Sequence, residues 1–147
     1  MATSRTFRCR IVTPLESVLD EDVTYVTLPA WDGQKGVMAG AASFLTALGL
    51  GSMRLDFASG GSRWYLLEGG FAQLQHAAPD GNESGDILTL LTDRAIPAEK
   101  LSVTDAEKEL DAALNDSVVG DREPLERRQN FARAKVTMAK AIRERGI

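Results

Sequence analysis

The hydrophobic period of this chain changes once, at Pro97, from about two residues to about 3.6, and that change fixes two architectures in succession. Before Pro97, short apolar runs are broken by Gly33, Gly36, Gly40, Gly49, Gly51, Gly60, Gly61, Gly69, Gly70, Gly81 and Gly85, a spacing of turn formers that favours a sandwich or barrel. After it, apolar residues recur at helical spacing. The expected fold is an all-β sandwich over residues 1–97 followed by an α-helical hairpin over 98–147, two antiparallel C-terminal helices.

Individual segments give this outline residues. In Phe7-Arg8-Cys9-Arg10-Ile11 apolar and basic residues alternate, so Phe7, Cys9 and Ile11 share a buried strand face and the arginines meet water. Cys9 is then a small core residue. Residues 23–28, 64–67 and 87–92 are rich in β-branched and aromatic side chains and read as strands. Residues 77–85 lack periodicity and are crowded with turn formers, which predicts an exposed hairpin loop.

Beyond Pro97, Ser102 caps a helix with Asp105 three residues on, and Val103, Ala106, Leu110, Ala113 and Leu114 form one apolar stripe to about Ser117. Val118-Val119-Gly120 ends that helix, Asp121 caps the next, and Pro124 is tolerable because it falls in the first turn. Leu125, Ala132, Val136 and Ala139 line the second helix. A fully buried Leu or Val contributes roughly 1.5–3 kcal/mol and an Ala much less, so this hairpin is expected to be only loosely self-sufficient.

Composition narrows the function. The chain of 147 residues has formal net charge −4, distributed as −4 over residues 1–97, −4 over 98–120 and +4 over 121–147. An acidic chain is a poor nucleic-acid binder, because phosphate contact needs clustered Lys and Arg; the basic last segment alone suits an acidic partner. No apolar run approaches the ~20 residues that span a bilayer, and Met1–Arg5 lacks a secretory apolar stretch, so a soluble, unsecreted protein without direct membrane insertion is expected. One cysteine allows no internal disulfide.

Enzymatic chemistry finds little to stand on. His76 is the single histidine and Cys9 the single cysteine, on separate predicted strands, so neither a zinc site nor a Cys-His pair is supported. Asp20-Glu21-Asp22 reads as a solvated turn. Gly33-Gln34-Lys35-Gly36 and Gly49-Leu50-Gly51-Ser52 fit no phosphate or dinucleotide loop and read as turns. A free-standing binding module, or a small jelly-roll enzyme built on His76, remain competing readings.

Residues 32–48, Asp-Gly-Gln-Lys-Gly-Val-Met-Ala-Gly-Ala-Ala-Ser-Phe-Leu-Thr-Ala-Leu, resemble the hallmark of ATP synthase epsilon subunits, E/D-G-x-x-G-I/V-x-P-G-H-A-P-L-L-T-x-L. Gly51–Leu55, Leu67–Leu74 and Leu90–Ile96 are similar to the family's P-G-x-x-R-I, Y-x-S-G-G-F-x-E-V and V-L-A-D-x-A-I segments, in family order and spacing. The family's histidine and second proline are Ala41 and Ser43 here. Where some members bind ATP through I/L-D-x-x-R-A, this chain has Leu101-Ser102-Val103-Thr104-Asp105-Ala106; exchanging a phosphate-pairing cation for an anion predicts no useful ATP affinity and no cofactor.

The resemblance implies a non-catalytic rotor subunit of an F-type, ion-translocating ATP synthase, peripheral on the cytoplasmic face of a bacterial inner membrane. It implies a sandwich bound to the gamma subunit and the c-ring, with Trp31, Asp32, Gly33, Gln34, Gly40 and Phe44 as rotor-interface candidates. Trp31 either anchors that interface or caps the core. It further implies helices that transiently meet the beta and alpha subunits and inhibit ATP hydrolysis, with Arg122, Arg127, Arg128, Arg133, Lys135 and Lys140 as the inhibitory-helix candidates.

Overall fold

A computed structural model describes residues 5–76, 85–115 and 122–145, with side chains in the last segment described from residue 126 to 144. The chain divides into two compact units, Met1–Ala95 and Ile96–Ile147.

The first unit holds β1 (Phe7–Val12), β2 (Ser17–Ala30), β3 (Gly33–Met38), β4 (Phe44–Ala47), β5 (Leu50–Phe57), β6 (Ser62–Glu68), β7 (Phe71–His76) and β8 (Asp86–Leu91), and the short β9 (Ala95–Pro97) spans the division between the units. Hydrogen bonds link them in the order β4-β7-β8-β1-β2-β5-β6-β9, with β3 also on β2. The 14-residue β2 joins the two layers: its first half pairs with β1, its second half with β3, and β5 lies along its middle. Inner side chains from β4, β7, β8 and β1 meet those from β2, β5 and β6 in one core that includes Ile11, Val26, Leu55, Leu67, Leu74 and Leu90. Two sheets sharing one core are a β-sandwich.

The alternation in β1 puts Phe7, Cys9 and Ile11 inside, as the sequence requires. In β2 the alternation breaks. Leu19 and Val23 face inward at odd positions, Val26, Leu28 and Ala30 at even ones, because Val23 and Tyr25 pair with the consecutive residues Phe57 and Asp56 of β5. Thr24 is the extra residue of a bulge, and its hydroxyl donates to the Asp56 carbonyl at 3.1 Å.

Three local expectations need correction. Asp20-Glu21-Asp22 forms no turn; it lies inside β2, where antiparallel register sets Asp20 opposite Arg10 and Asp22 opposite Arg8, so cross-strand charge pairing holds the acids in the sheet. Gly36 and Gly51 are likewise strand residues. A Cβ at Gly51 would stand 2.9 Å from Pro29 Cβ, so close approach, not chain reversal, favours glycine there, whereas one at Gly36 would meet only the hydroxyl end of the Tyr25 side chain, which can swing aside. Of the predicted loop at 77–85, residues 77–84 lie outside the described residues, and Gly85 is exposed.

The second unit holds a 3-10 turn (Ala98–Lys100), α1 (Val103–Asn115) and α2 (Arg122–Arg145). Contacts run in reverse order along the helices, Glu107 to Lys140, Glu109 to Lys135 and Ala113 to Gln129, so the pair is antiparallel. Ala106 and Ala113 of α1 and Ala132, Val136 and Ala139 of α2 are buried as their spacing predicts, whereas Leu114 points outward, because its neighbour Ala113 occupies the inward position. Phe131 and Met138, seven residues apart on a second stripe of α2, are also buried. The predicted helix stop and cap at residues 118–121 lie outside the described residues.

Candidate functional site

The tip of the β2–β3 hairpin is built by Trp31 and Asp32 between the paired residues Ala30 and Gly33. Its backbone is fixed from behind: the Trp31 N–H donates to the Ala47 carbonyl at 3.0 Å and the Gly49 N–H to the Pro29 carbonyl at 2.8 Å. The indole is held out from this rigid base, 73% exposed, so Trp31 does not cap the core. Asp32, Gly33 and Gln34 are exposed beside it. Gly40 lies beyond the far end of the six-residue β3, whereas Phe44 opens β4, whose last residue, Ala47, is the one bonded to Trp31. Phe44 packs partly against the core, with the Lys35 ammonium 4.4 Å above its ring. The structure thus separates the six interface candidates into a tip, 31–34, the crossover turn at Gly40, and Phe44 on the strand that leads back to the tip.

A second surface continues from the tip. Register aligns Ala47 of β4 with Phe71 of β7, Phe71 with Leu91 of β8, and Leu91 with Val12 of β1, all on the outer face of one sheet. This row crosses four strands, about 14 Å. Phe71 and Leu91 are 57% and 55% exposed, and Leu45 on the same face is 68% exposed. The hydrogen bond from Trp31 to Ala47 makes tip and row one continuous structure. Sequence reasoning missed the row, though a signal was present: a strand alternates, so Leu90 and Leu91 cannot both point inward, nor can Phe71 and Ala72. Further along that face the surface turns polar, with Arg8 and Arg10 paired to Asp20. The Arg8 hydrogen bond, ahead of its charge and the Arg10 contact, holds the Asp20 carboxyl below the usual carboxylate range.

On α2 the cationic candidates divide. Lys135 is only 15% exposed, paired with Glu109, and its ammonium stands 5.1 Å over the Phe131 ring. Lys140 reaches Glu107 at 3.6 Å. Arg127, Arg128 and Arg133 are exposed; the Arg122 backbone begins the helix, and its side chain is outside the described set.

Neither single reactive residue completes a catalytic group. Cys9 is buried, and desolvation, ahead of the Asp20 charge, pushes its thiol far up. His76 is exposed at the end of β7, with Nδ1 2.5 Å from Asp86. Among the described residues no three His, Cys, Asp or Glu side chains gather to hold a metal. The family model for the ATP synthase Delta/Epsilon chain beta-sandwich domain matches residues 6–79, from β1 through β7. This chain belongs to the ATP synthase epsilon family.

Within that family it is 40% identical to the ATP synthase epsilon chain of Rhodopirellula baltica over 108 residues, 74% of this chain and 77% of that one. It is 35% identical to the chloroplastic epsilon chain of Porphyra purpurea, covering 92% and 97% of the two. A chain in the Euglena gracilis mitochondrial ATP synthase, solved with OSCP, F1 and c-ring, shares the fold at a TM-score of 0.69 and 23% identity, over 92% of this chain and 80% of that one. An epsilon chain is an accessory subunit of the synthase and is not catalytic by itself.

Proposed function

We propose that the sandwich of this epsilon-family chain is a rotor bearing in the central stalk of an F-type ATP synthase, joining the gamma subunit to the c-ring. The continuous row from Trp31 through Ala47, Phe71 and Leu91 to Val12, with Trp31, Phe71 and Leu91 exposed and Ala47 and Val12 half-buried, carries this reading. The rigid tip, Trp31 to Gln34, faces the polar loops of the c-ring; the apolar row buries against gamma, where large outward aromatic and aliphatic side chains form the centre of an interface. Among the described residues no helix is long and apolar enough to cross a membrane; in this reading the chain meets the membrane through the ring, on the cytoplasmic face of a bacterial membrane.

The hairpin regulates. In its extended state α2 meets acidic segments of the beta subunits through its exposed arginines and restrains ATP hydrolysis, and packed and extended states differ by only about a few kcal/mol, so rotor or nucleotide state shifts the balance. Two measurements test the proposal. The purified chain mixed with its gamma subunit binds in equal stoichiometry. A chain ending at Ala98 assembles normally and raises hydrolysis by the complex. Failure to bind gamma overturns the bearing; unchanged hydrolysis overturns the regulatory role.

A further inference from the structure

Between β3 and β4 the chain crosses from one sheet to the other through a turn at Met38–Ala41, closed by a 3.1 Å hydrogen bond from the Ala41 N–H to the Met38 carbonyl. Gly40 takes φ +85°, a conformation that a side chain disfavours. The turn itself leaves the Gly40 N–H unused, and a carboxylate from a distant strand takes it: Asp86 Oδ2, 46 residues on, accepts it at 3.0 Å. The other oxygen, Oδ1, meets His76 Nδ1 at 2.5 Å, and His76 and Asp86 are register partners across β7 and β8. The Asp86 side chain is only 16% exposed, while its partners Gly40 and His76 both meet solvent. Arg5 adds a positive charge to the same corner, with Nη1 3.9 Å from where a Cβ on Gly40 would stand.

We propose that Asp86 is a positioning residue: its carboxylate, braced by His76, clamps the Gly40 turn to the β7–β8 hairpin and so sets the course of the crossover that carries Gly40 and Phe44 at the rotor interface. The inference rests on the bearing reading above for its functional part. Its structural part is independent. The clamp is made by side chains on β7 and β8, so the crossover loses its anchor if Asp86 is removed even when every residue of the turn is intact.

The test uses the full-length chain and two readouts. Amide exchange at Gly40 rises on the order of ten-fold in Asp86→Ala, the loss expected for a charge-assisted hydrogen bond. It rises less in Asp86→Asn, which keeps an acceptor oxygen, and stays unchanged in Asp111→Asn, a carboxylate removed from exposed α1. Core amides such as Leu88 and Leu90 keep their protection. In parallel, affinity for a synthase depleted of this subunit falls on the order of ten-fold in Asp86→Ala. Unchanged exchange at Gly40, or a uniform rise across every strand, overturns the clamp. Faster exchange at Gly40 with undiminished assembly overturns the positioning role and leaves the bearing standing. A wild-type chain that never assembles overturns the bearing and the positioning role with it.

Discussion

Lys135 of α2 places its Nζ 2.9 Å from one carboxylate oxygen of Glu109 on α1 and 3.2 Å from the other. The lysine is largely shielded, while Glu109 is half exposed, so the pair lies between a surface contact and a buried one. Lys140 and Glu107 are further apart, at 3.6 Å, and both are more than half exposed. Screening by water therefore weakens the second pair more than the first. Glu109→Gln is expected to lower the protection of α2 amides by about 1 kcal/mol and Glu107→Gln by a few tenths. Hydrogen exchange at low and high salt checks this; equal losses, or the reverse order, refute the ranking. Because a cation held by Glu109 cannot serve an outside partner at the same time, Glu109→Gln is also expected to favour the extended hairpin.

Trp31 and Phe71 separate binding from folding. Both are large and mostly exposed, so trimming either to alanine removes little buried area within this chain, and the expected change in stability is within about 0.5 kcal/mol. Their loss from an interface centre is expected to cost about 2 kcal/mol or more in affinity for the rotor. Leu90→Ala provides the contrast, since Leu90 is fully buried and its truncation costs about 2–5 kcal/mol of folding stability. Denaturant titration and rotor pull-down, run on all three variants, distinguish the two kinds of residue. Wild-type affinity in Trp31→Ala contradicts the role given to the tip.

Two periodicities made most of this fold legible. Strict alternation identified the inner face of β1, and helical spacing identified Ala106, Ala113, Ala132, Val136 and Ala139 as a seam. What stayed hidden depends on contacts between segments distant in sequence. The bulge at Thr24 reverses the inward parity of β2, and no local pattern announces it because β5 imposes it. The acids at 20–22 look like a turn until Arg8 and Arg10 stand opposite them. The apolar row exists only once β4, β7, β8 and β1 are placed in register, and the Gly40 clamp needs a carboxylate from a strand 46 residues away.

Cys9 supplies a chemical clock for unfolding. Burial raises its pKa, so at neutral pH the folded protein presents neither access nor thiolate, the form that reacts. Labelling by a thiol reagent is expected to follow global opening, negligible in the native state and rising along the denaturant transition. A native rate near that of an unstructured peptide contradicts the core placement.

Acid should weaken the sandwich in a defined window. Asp56 is held below its usual range by the Ser62 hydroxyl first and then by Arg54, and Asp86 by His76 first and then by the Gly40 N–H. A carboxyl whose folded pKa is depressed adds stability that is complete above its unfolded pKa and disappears as pH falls through the folded value. The urea midpoint is therefore expected to hold as pH falls from 7 toward the ordinary carboxylate range and to drop below it. Asp86→Asn is expected to flatten that drop. A midpoint that instead rises on acidification reverses the sign and contradicts the assignment.

Gly70 tests the precision of the apolar row. Its φ is +103°, and a Cβ there would stand 1.8 Å from the Leu91 carbonyl oxygen and 2.8 Å from the Thr92 Cα. Both obstacles are backbone, so neither can swing aside. The Gly70 carbonyl also accepts the Leu48 N–H at 2.8 Å, which ties the same residue to the segment after β4. Gly70→Ala must then displace β8, and a destabilisation of about 3 kcal/mol or more is expected. Gly69→Ala isolates the conformational contribution, because Gly69 has φ +63° with nothing within 4 Å of its Cβ position, and about 1–2 kcal/mol is expected there. Chemical denaturation of the pair measures the difference. If the two variants are equally stable, β7 and β8 do not approach as closely as described, and the alignment of Phe71 with Leu91 fails with them.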